Sequence, residues 1–359
     1  MREKSTDRLS VRQPFKFIFI AQNIIPIVGG AERSMVTLMH ELRKRGHTVN
    51  HFCKDNYDPS LEKTVQHHDI VVTQLQWTPK AVKLAELYNK PSIVMMRSLE
   101  PVCRVVHEPN EARIIAECGQ KCWECPHRIT AYEEQGSALK KCNLILGNSQ
   151  WSAEWMVREH KHSPDKVGWI YPCMDFAFLD EEIERKPEYI SMSMWTYSAG
   201  TDVFTEIAKR MPQEKFRIYG YQYDLPSFPR YNLPKNIEFI QNAPQEEMFG
   251  TTKLWLFPYR TIPNFGRVVL EALKAGIPVV GIKAGGIIPP DEMIIDGVNG
   301  YTVEGHNPTH WVSRVKEAIK DIEKLSKGCK DTDYYKFSKE AGTDRFIDYT
   351  AQVLNNRTH

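Results

Sequence analysis

The chain has 359 residues, more than one hydrophobic core usually organises, so about two domains are expected. Apolar residues make up 42% and charged residues 26%, which excludes a disordered or low-complexity chain. Net charge is only +2, yet residues 1–170 carry 24 Lys+Arg against 19 Asp+Glu and residues 171–359 carry 23 against 26. The asymmetry fits a first half that meets something acidic, and a few charges on a solvated surface are the commoner reading of the same numbers. The most apolar early stretch, residues 15–30, is interrupted by Lys16, Gln22, Asn23 and Pro26, too polar and short for a bilayer span or a signal h-region. A cytoplasmic protein is expected, with its basic groups allowing attachment to a membrane surface.

In chain order, Lys16–Ile20 reads as a buried strand, followed by a loop ending Gly29-Gly30 and a helix from about Ala31 to Arg45. Met35, Leu38, Met39 and Leu42 recur at one helical face, and Gly46 closes the helix. Short apolar runs follow at 49–53, 70–73, 92–96, 144–146 and 167–170, separated by polar or helical segments. A charged, proline-bearing stretch, 179–188, breaks the alternation, and it restarts at Tyr189–Met194. The second half predicts helix Thr201–Arg210, strands at 216–219, 237–240 and 254–257, helix Arg267–Ala275, strand Val279–Ile282 and one helix over Pro308–Leu325. Phe346, Tyr349 and Val353 at helical spacing predict a last helix that packs on a domain surface. The expected fold class is α/β, two doubly wound Rossmann-like domains with a cleft between them. The predicted division is 1–178, 179–335 and a terminal helix over 336–359 returning to the first domain.

In such sheets ligands bind beyond the carboxyl ends of the strands, where helix N-termini receive anions. Three loops fit: Gly29-Gly30, Asn264-Phe265-Gly266 and Gly285-Gly286. In the helix after the second loop, Glu271 lies one turn past Arg267. A carboxylate there can accept both hydroxyls of a ribose, and Arg267 or the helix amides can meet a diphosphate. Plain strand-to-helix turns and a surface ion pair are the alternative reading of the same residues.

The run from Phe265-Gly266-Arg267 through Glu271-Ala272 to Gly276-Ile277-Pro278-Val279-Val280 resembles the donor-binding signature of the large retaining, glycogen-synthase-like group of GT-B glycosyltransferases, the family 4 type. Gly29 to Arg33, Gly147-Asn148-Ser149, residues 167–178 with Asp175, Gly285-Gly286 and the run Ile294 to Gly300 match further parts of that pattern in order. The resemblance implies transfer of a hexose or pentose from a nucleotide sugar, most simply a UDP-sugar, to an acceptor hydroxyl with retention and without a catalytic metal. It places Glu271 on the ribose and Arg267 with Arg97 in the catalytic cleft. Gly29, Gly30, Asn264, Phe265, Gly266, Arg260, Gly285 and Gly286 fall on the donor, and Gln74 and Arg33 on the acceptor side.

The sequence also departs from that pattern. Pro263 stands where the family has a glutamate eight positions before Glu271, Ala199 where a phosphate-binding lysine is common, and Arg97 where a histidine is expected. Arg260, Arg267 or Lys283 would have to supply the missing charge, and an unusual donor such as a pentose or deoxy sugar is implied. A nucleotide-sugar epimerase and a non-catalytic sugar-nucleotide binder are the alternative functions.

Of eight cysteines, Cys103, Cys118, Cys122 and Cys125 cluster with spacing that suits a structural zinc site, in a cysteine-rich insertion near 100–128. A set of reduced thiols is the other reading. The acceptor is expected to be a saccharide or lipid-linked saccharide, with a hydroxymethylated base in DNA as the alternative. Arg43-Lys44-Arg45 and Lys140-Lys141 supply cations for an acidic acceptor.

Overall fold

The computed structural model describes residues 14–21, 24, 29–53, 60–97, 133–177, 183–196, 199–222, 233–241, 243–260, 265–283 and 290–356. Its described strands form two six-stranded parallel sheets. The first contains β1 (Lys16–Ala21), β2 (Thr48–Phe52), β3 (Ile70–Gln74), β4 (Ser92–Met96), β5 (Leu144–Gly147) and β6 (Val167–Trp169), in the order β2-β1-β3-β4-β5-β6. The second contains β7 (Tyr189–Trp195), β8 (Lys215–Gln222), β9 (Ile237–Ile240), β10 (Thr252–Phe257), β11 (Val279–Lys283) and β12 (Gly300–Glu304), in the order β12-β11-β10-β7-β8-β9. This is the GT-B arrangement of two Rossmann-like units.

The side-chain alternation of β1 shows why the apolar runs are continuous. Phe17 and Phe19 face a core built with Met35, Leu38 and Leu42 of the Gly30–Lys44 helix, whereas Ile18 and Ile20 face Leu61, Val65, Ala81 and Leu84 on the opposite side. A parallel strand covered on both faces has no polar side to display.

The first sheet's face is completed from far away in sequence. Phe346, on the Lys339–Asn355 helix, lies 5.6 Å from Phe17 and 6.4 Å from Phe19 between ring centroids. The chain reaches this helix by crossing back beside its outward path. Met174 N donates to Phe337 O at 3.1 Å and Lys339 N to Met174 O at 2.9 Å, with Lys339 and Asp175 paired at 2.8 Å. Ser338 then caps the helix, its Oγ accepting from Ala341 N.

One predicted element differs. The helix expected over Pro308–Leu325 is two, Pro308–Lys320 and Ile322–Asp331, joined at Asp321. Asp321 accepts the Tyr301 hydroxyl at 2.7 Å, a tie to β12 that fixes the break.

Candidate functional site

Each sheet has one place where neighbouring strands continue to helices on opposite sides, between β1 and β3 in the first and between β7 and β10 in the second. Crevices open at such switch points, and here the two face one another. A cavity of about 410 Å3 lies between them, lined by Gly29, Gly30 and Arg33 from the first sheet's side and by Ser193, Met194, Phe257, Tyr259, Gly266, Arg267, Val268 and Glu271 from the second.

The Arg267–Lys274 helix starts at this cavity. Gly266 is its N-cap at φ 70°, and a Cβ there would stand 2.9 Å from Phe257 Cζ, so glycine serves both the left-handed backbone and the close ring. No side chain caps the helix, which leaves its first amides available to an anion. Across the cavity the Gly30–Lys44 helix likewise begins without a side-chain cap. Two uncapped N-termini therefore converge on one space.

Arg267 bridges the cleft. One terminal nitrogen donates to Ser34 Oγ at 2.7 Å and the other lies 3.7 Å from Glu271 Oε1. A Cβ on Gly30 would fall 2.9 Å from Arg267 Cδ, so the glycine makes room for the arginine stem. Glu271 is 6% exposed, and burial raises its pKa against the opposing pull of Arg267 and Arg33. Burial lowers that of Arg267.

Other expected site residues fall elsewhere. Arg260, which follows the lining residue Tyr259, grips the carboxylate of Asp202 through Nε and a terminal nitrogen. The Phe265 ring is buried between Tyr171 and Phe337, 5.8 Å from each, and faces the inter-domain core. Arg97 and Gln74 are buried at the ends of adjacent strands of the first sheet. Asn264, Gly285, Gly286 and Pro263 lie outside the described residues, as do Cys103, Cys118, Cys122 and Cys125. Among the described residues no group of three or more His, Cys, Asp or Glu is placed to hold a metal.

The basic runs are engaged in the fold. Arg43 donates to Val49 O at 2.7 Å, Lys44 pairs with Glu41, Arg45 with Asp344, and Lys141 with Glu86. Among the described residues no helix is long and apolar enough to cross a membrane.

A cross-domain contact that sequence reading missed involves Glu292. Its Oε1 accepts the Trp151 amide at 3.1 Å and its Oε2 the Tyr171 hydroxyl at 2.6 Å. Trp151 lies in the first turn of the Gln150–His160 helix, so a carboxylate from the second half of the chain serves a helix N-terminus in the first. An acid in a proline-rich run carries no period that would have marked it.

Residues 180–333 match the family described as glycosyl transferases group 1. An uncharacterised 42.6 kDa protein from the cps region of Klebsiella pneumoniae is 30% identical over 310 residues, 72% of this chain and 83% of that protein. The chain belongs to the group 1 glycosyltransferases. A D-inositol 3-phosphate glycosyltransferase from Corynebacterium diphtheriae is 34% identical over 235 residues, a match that spans 54% of each chain. Among solved structures, Anabaena HepE in complex with UDP superposes with TM-score 0.70 at 15% identity, over 94% of this chain and 100% of that one. Sucrose-phosphate synthase from Thermosynechococcus elongatus superposes with TM-score 0.69 at 14% identity, over 95% and 100%. These neighbours share the GT-B fold with this glycosyltransferase.

Proposed function

We propose that this glycosyltransferase moves a sugar from a UDP-sugar to a hydroxyl of a saccharide or glycoconjugate, with retention at the anomeric carbon. The observation that carries the reading is the cavity in which the buried Glu271 carboxylate, the Arg267 guanidinium and two uncapped helix N-termini converge. Glu271 is suited to accept the two ribose hydroxyls. Arg267, Arg33 and the amides at Gly266 and Gly30 offset the negative charge that gathers on the departing diphosphate. Fixed donors in a closed cleft do this without reorganising. HepE and the pneumococcal O-GlcNAc transferase GtfA, both solved with UDP, support the choice of uracil nucleotide.

The test is turnover across UDP-, GDP- and ADP-sugars with mono- and oligosaccharide acceptors, with the product's anomeric configuration read by NMR. Retention with a UDP-sugar is expected, and Glu271→Ala should lower kcat/KM by about 100-fold. Lack of turnover with every donor, or an inverted product, would overturn the proposal.

A further inference from the structure

Arg97 follows β4 directly and is 6% exposed. One terminal nitrogen donates to Asn148 Oδ1 at 2.8 Å, the other lies 3.8 Å from Met95 Sδ, and Nε has no partner. Among the described residues no carboxylate forms an ion pair with it. A buried cation without a contacting acid is costly unless something else supplies the charge. Burial pulls its pKa down to about 10, with the Arg267 cation adding to the effect and the Cys173 thiol and Glu32 opposing it.

Gln74 ends the neighbouring strand β3, fully buried, with neither its amide oxygen nor its amide nitrogen partnered among the described residues. Gln74 is in register with Met95, so the strand alternation carries Arg97, two positions on, to the same side of the sheet. Buried polar groups in folded proteins are almost always satisfied, and a concentration of exceptions at strand ends beside a cleft marks a place where a ligand completes the bonding. Arg97 and Gln74 are not part of the lining that holds Glu271 and Arg267. They stand at the carboxyl ends of β3 and β4, in the first domain, with Arg97 within electrostatic reach of Arg267 and Glu32.

We propose that Arg97 and Gln74 receive an anionic group, a carboxylate or a phosphate, carried by the substrate part that lies against the first domain. The guanidinium offers its free Nε–H and the amide a second donor, the pairing that an oxyanion group accepts. The group is on the transferred sugar or on the acceptor. The inference rests on the nucleotide-sugar reading above.

The experiment compares substrates in pairs that differ by one anionic group. Donor pairs are UDP-glucose with UDP-glucuronate and UDP-galactose with UDP-galacturonate, read by donor hydrolysis without acceptor. Acceptor pairs are inositol with inositol 3-phosphate and glucose with glucose 6-phosphate. One set should show a preference of at least about tenfold in kcat/KM for the anionic member, and that set identifies the source. Arg97→Gln should bring the ratio to about one whatever the overall rate, and Arg97→Lys should keep part of it. Gln74→Met should weaken the preference while raising Tm, since it replaces an unsatisfied amide by an apolar side chain. Ratios near one in every pair for the unaltered protein, or a preference that survives in Arg97→Gln, would overturn the inference. If no donor is turned over, the nucleotide-sugar reading fails, and the anion receptor is then judged by calorimetric titration with glucuronate and with inositol 3-phosphate. Binding that Arg97→Gln abolishes supports it, and absence of binding to the unaltered protein overturns it.

Discussion

Arg267 donates to Ser34 Oγ at 2.7 Å across the cleft, so the cation expected to meet the diphosphate also helps to join the two domains. The two roles can be separated. A hydrogen bond from a charged donor such as this guanidinium contributes about 1.5–3 kcal/mol, whereas a cation on the leaving group is worth about 3–4 kcal/mol. Ser34→Ala, which leaves the guanidinium in place, should cost about tenfold in kcat/KM, and Arg267→Ala, which removes it, about 100-fold or more. Equal losses in steady-state kinetics would show that Arg267 acts through closure alone.

Gly30 offers a way to move Arg267 without removing it. Gly30 does not have the positive φ that would strain an alanine, yet a Cβ there meets Arg267 Cδ at 2.9 Å. Gly30→Ala should leave Tm unchanged or slightly raised, since alanine is the better helix former. It should lower kcat/KM by about 10- to 100-fold through misplacement of the guanidinium. Thermal unfolding and kinetics on the same preparation check both halves.

The buried Glu271 predicts an acid limb. Its pKa is raised, chiefly by burial, so it takes up a proton at higher pH than an exposed glutamate, and only the ionised form accepts both ribose hydroxyls. UDP-sugar affinity, measured by calorimetry between about pH 4.5 and 8, should fall on the acid side above the ordinary glutamate value of about 4.3. In Glu271→Gln that dependence should be absent. The stability sign is opposite. A folded-state pKa above the unfolded one gives stability that is full below the unfolded value and lost as pH rises through the folded one. Glu271→Gln should therefore raise Tm at neutral pH.

Glu292 ties the Trp151 amide and the Tyr171 hydroxyl to the second half of the chain. Glu292→Ala should cost about 1–2 kcal/mol, the usual worth of a lost helix-terminal acceptor. It should also enlarge the radius of gyration in small-angle scattering of the ligand-free protein. Glu292→Gln, which keeps an acceptor, should recover most of both. An unchanged radius in Glu292→Ala would leave Glu292 as a local cap with no hold on the cleft.

The strands were legible because residues such as Phe17 to Ile20 are buried on both sides and leave a continuous apolar run. Gly29, Gly30 and Gly266 were legible because each stands where a strand gives way to a helix, and Arg267 and Glu271 because helical spacing sets them one turn apart. β12 was not, since Gly300 opens it against the Val279 carbonyl, where a Cβ would stand 2.1 Å from the oxygen, and glycine in a run reads as a turn. Nor was the pairing of Arg260, a residue the sequence assigned to the donor, with Asp202, 58 positions apart. Polar partners distant in sequence leave no periodic trace, and the site's charge balance depends on them.

The helix that carries Phe346 gives the chain an order of manufacture. A ribosome finishes the six strands of the first sheet by Trp169, and Met35, Leu38 and Leu42 can then cover part of Phe17 and Phe19, yet the cover that Phe346 adds arrives only with the Lys339–Asn355 helix, after the second sheet's strands have emerged. The earliest strands must wait, one face incompletely covered, for a helix far downstream in the chain. A nascent chain stalled within the second domain would present an incompletely covered apolar face, the kind of surface that chaperones exist to shield.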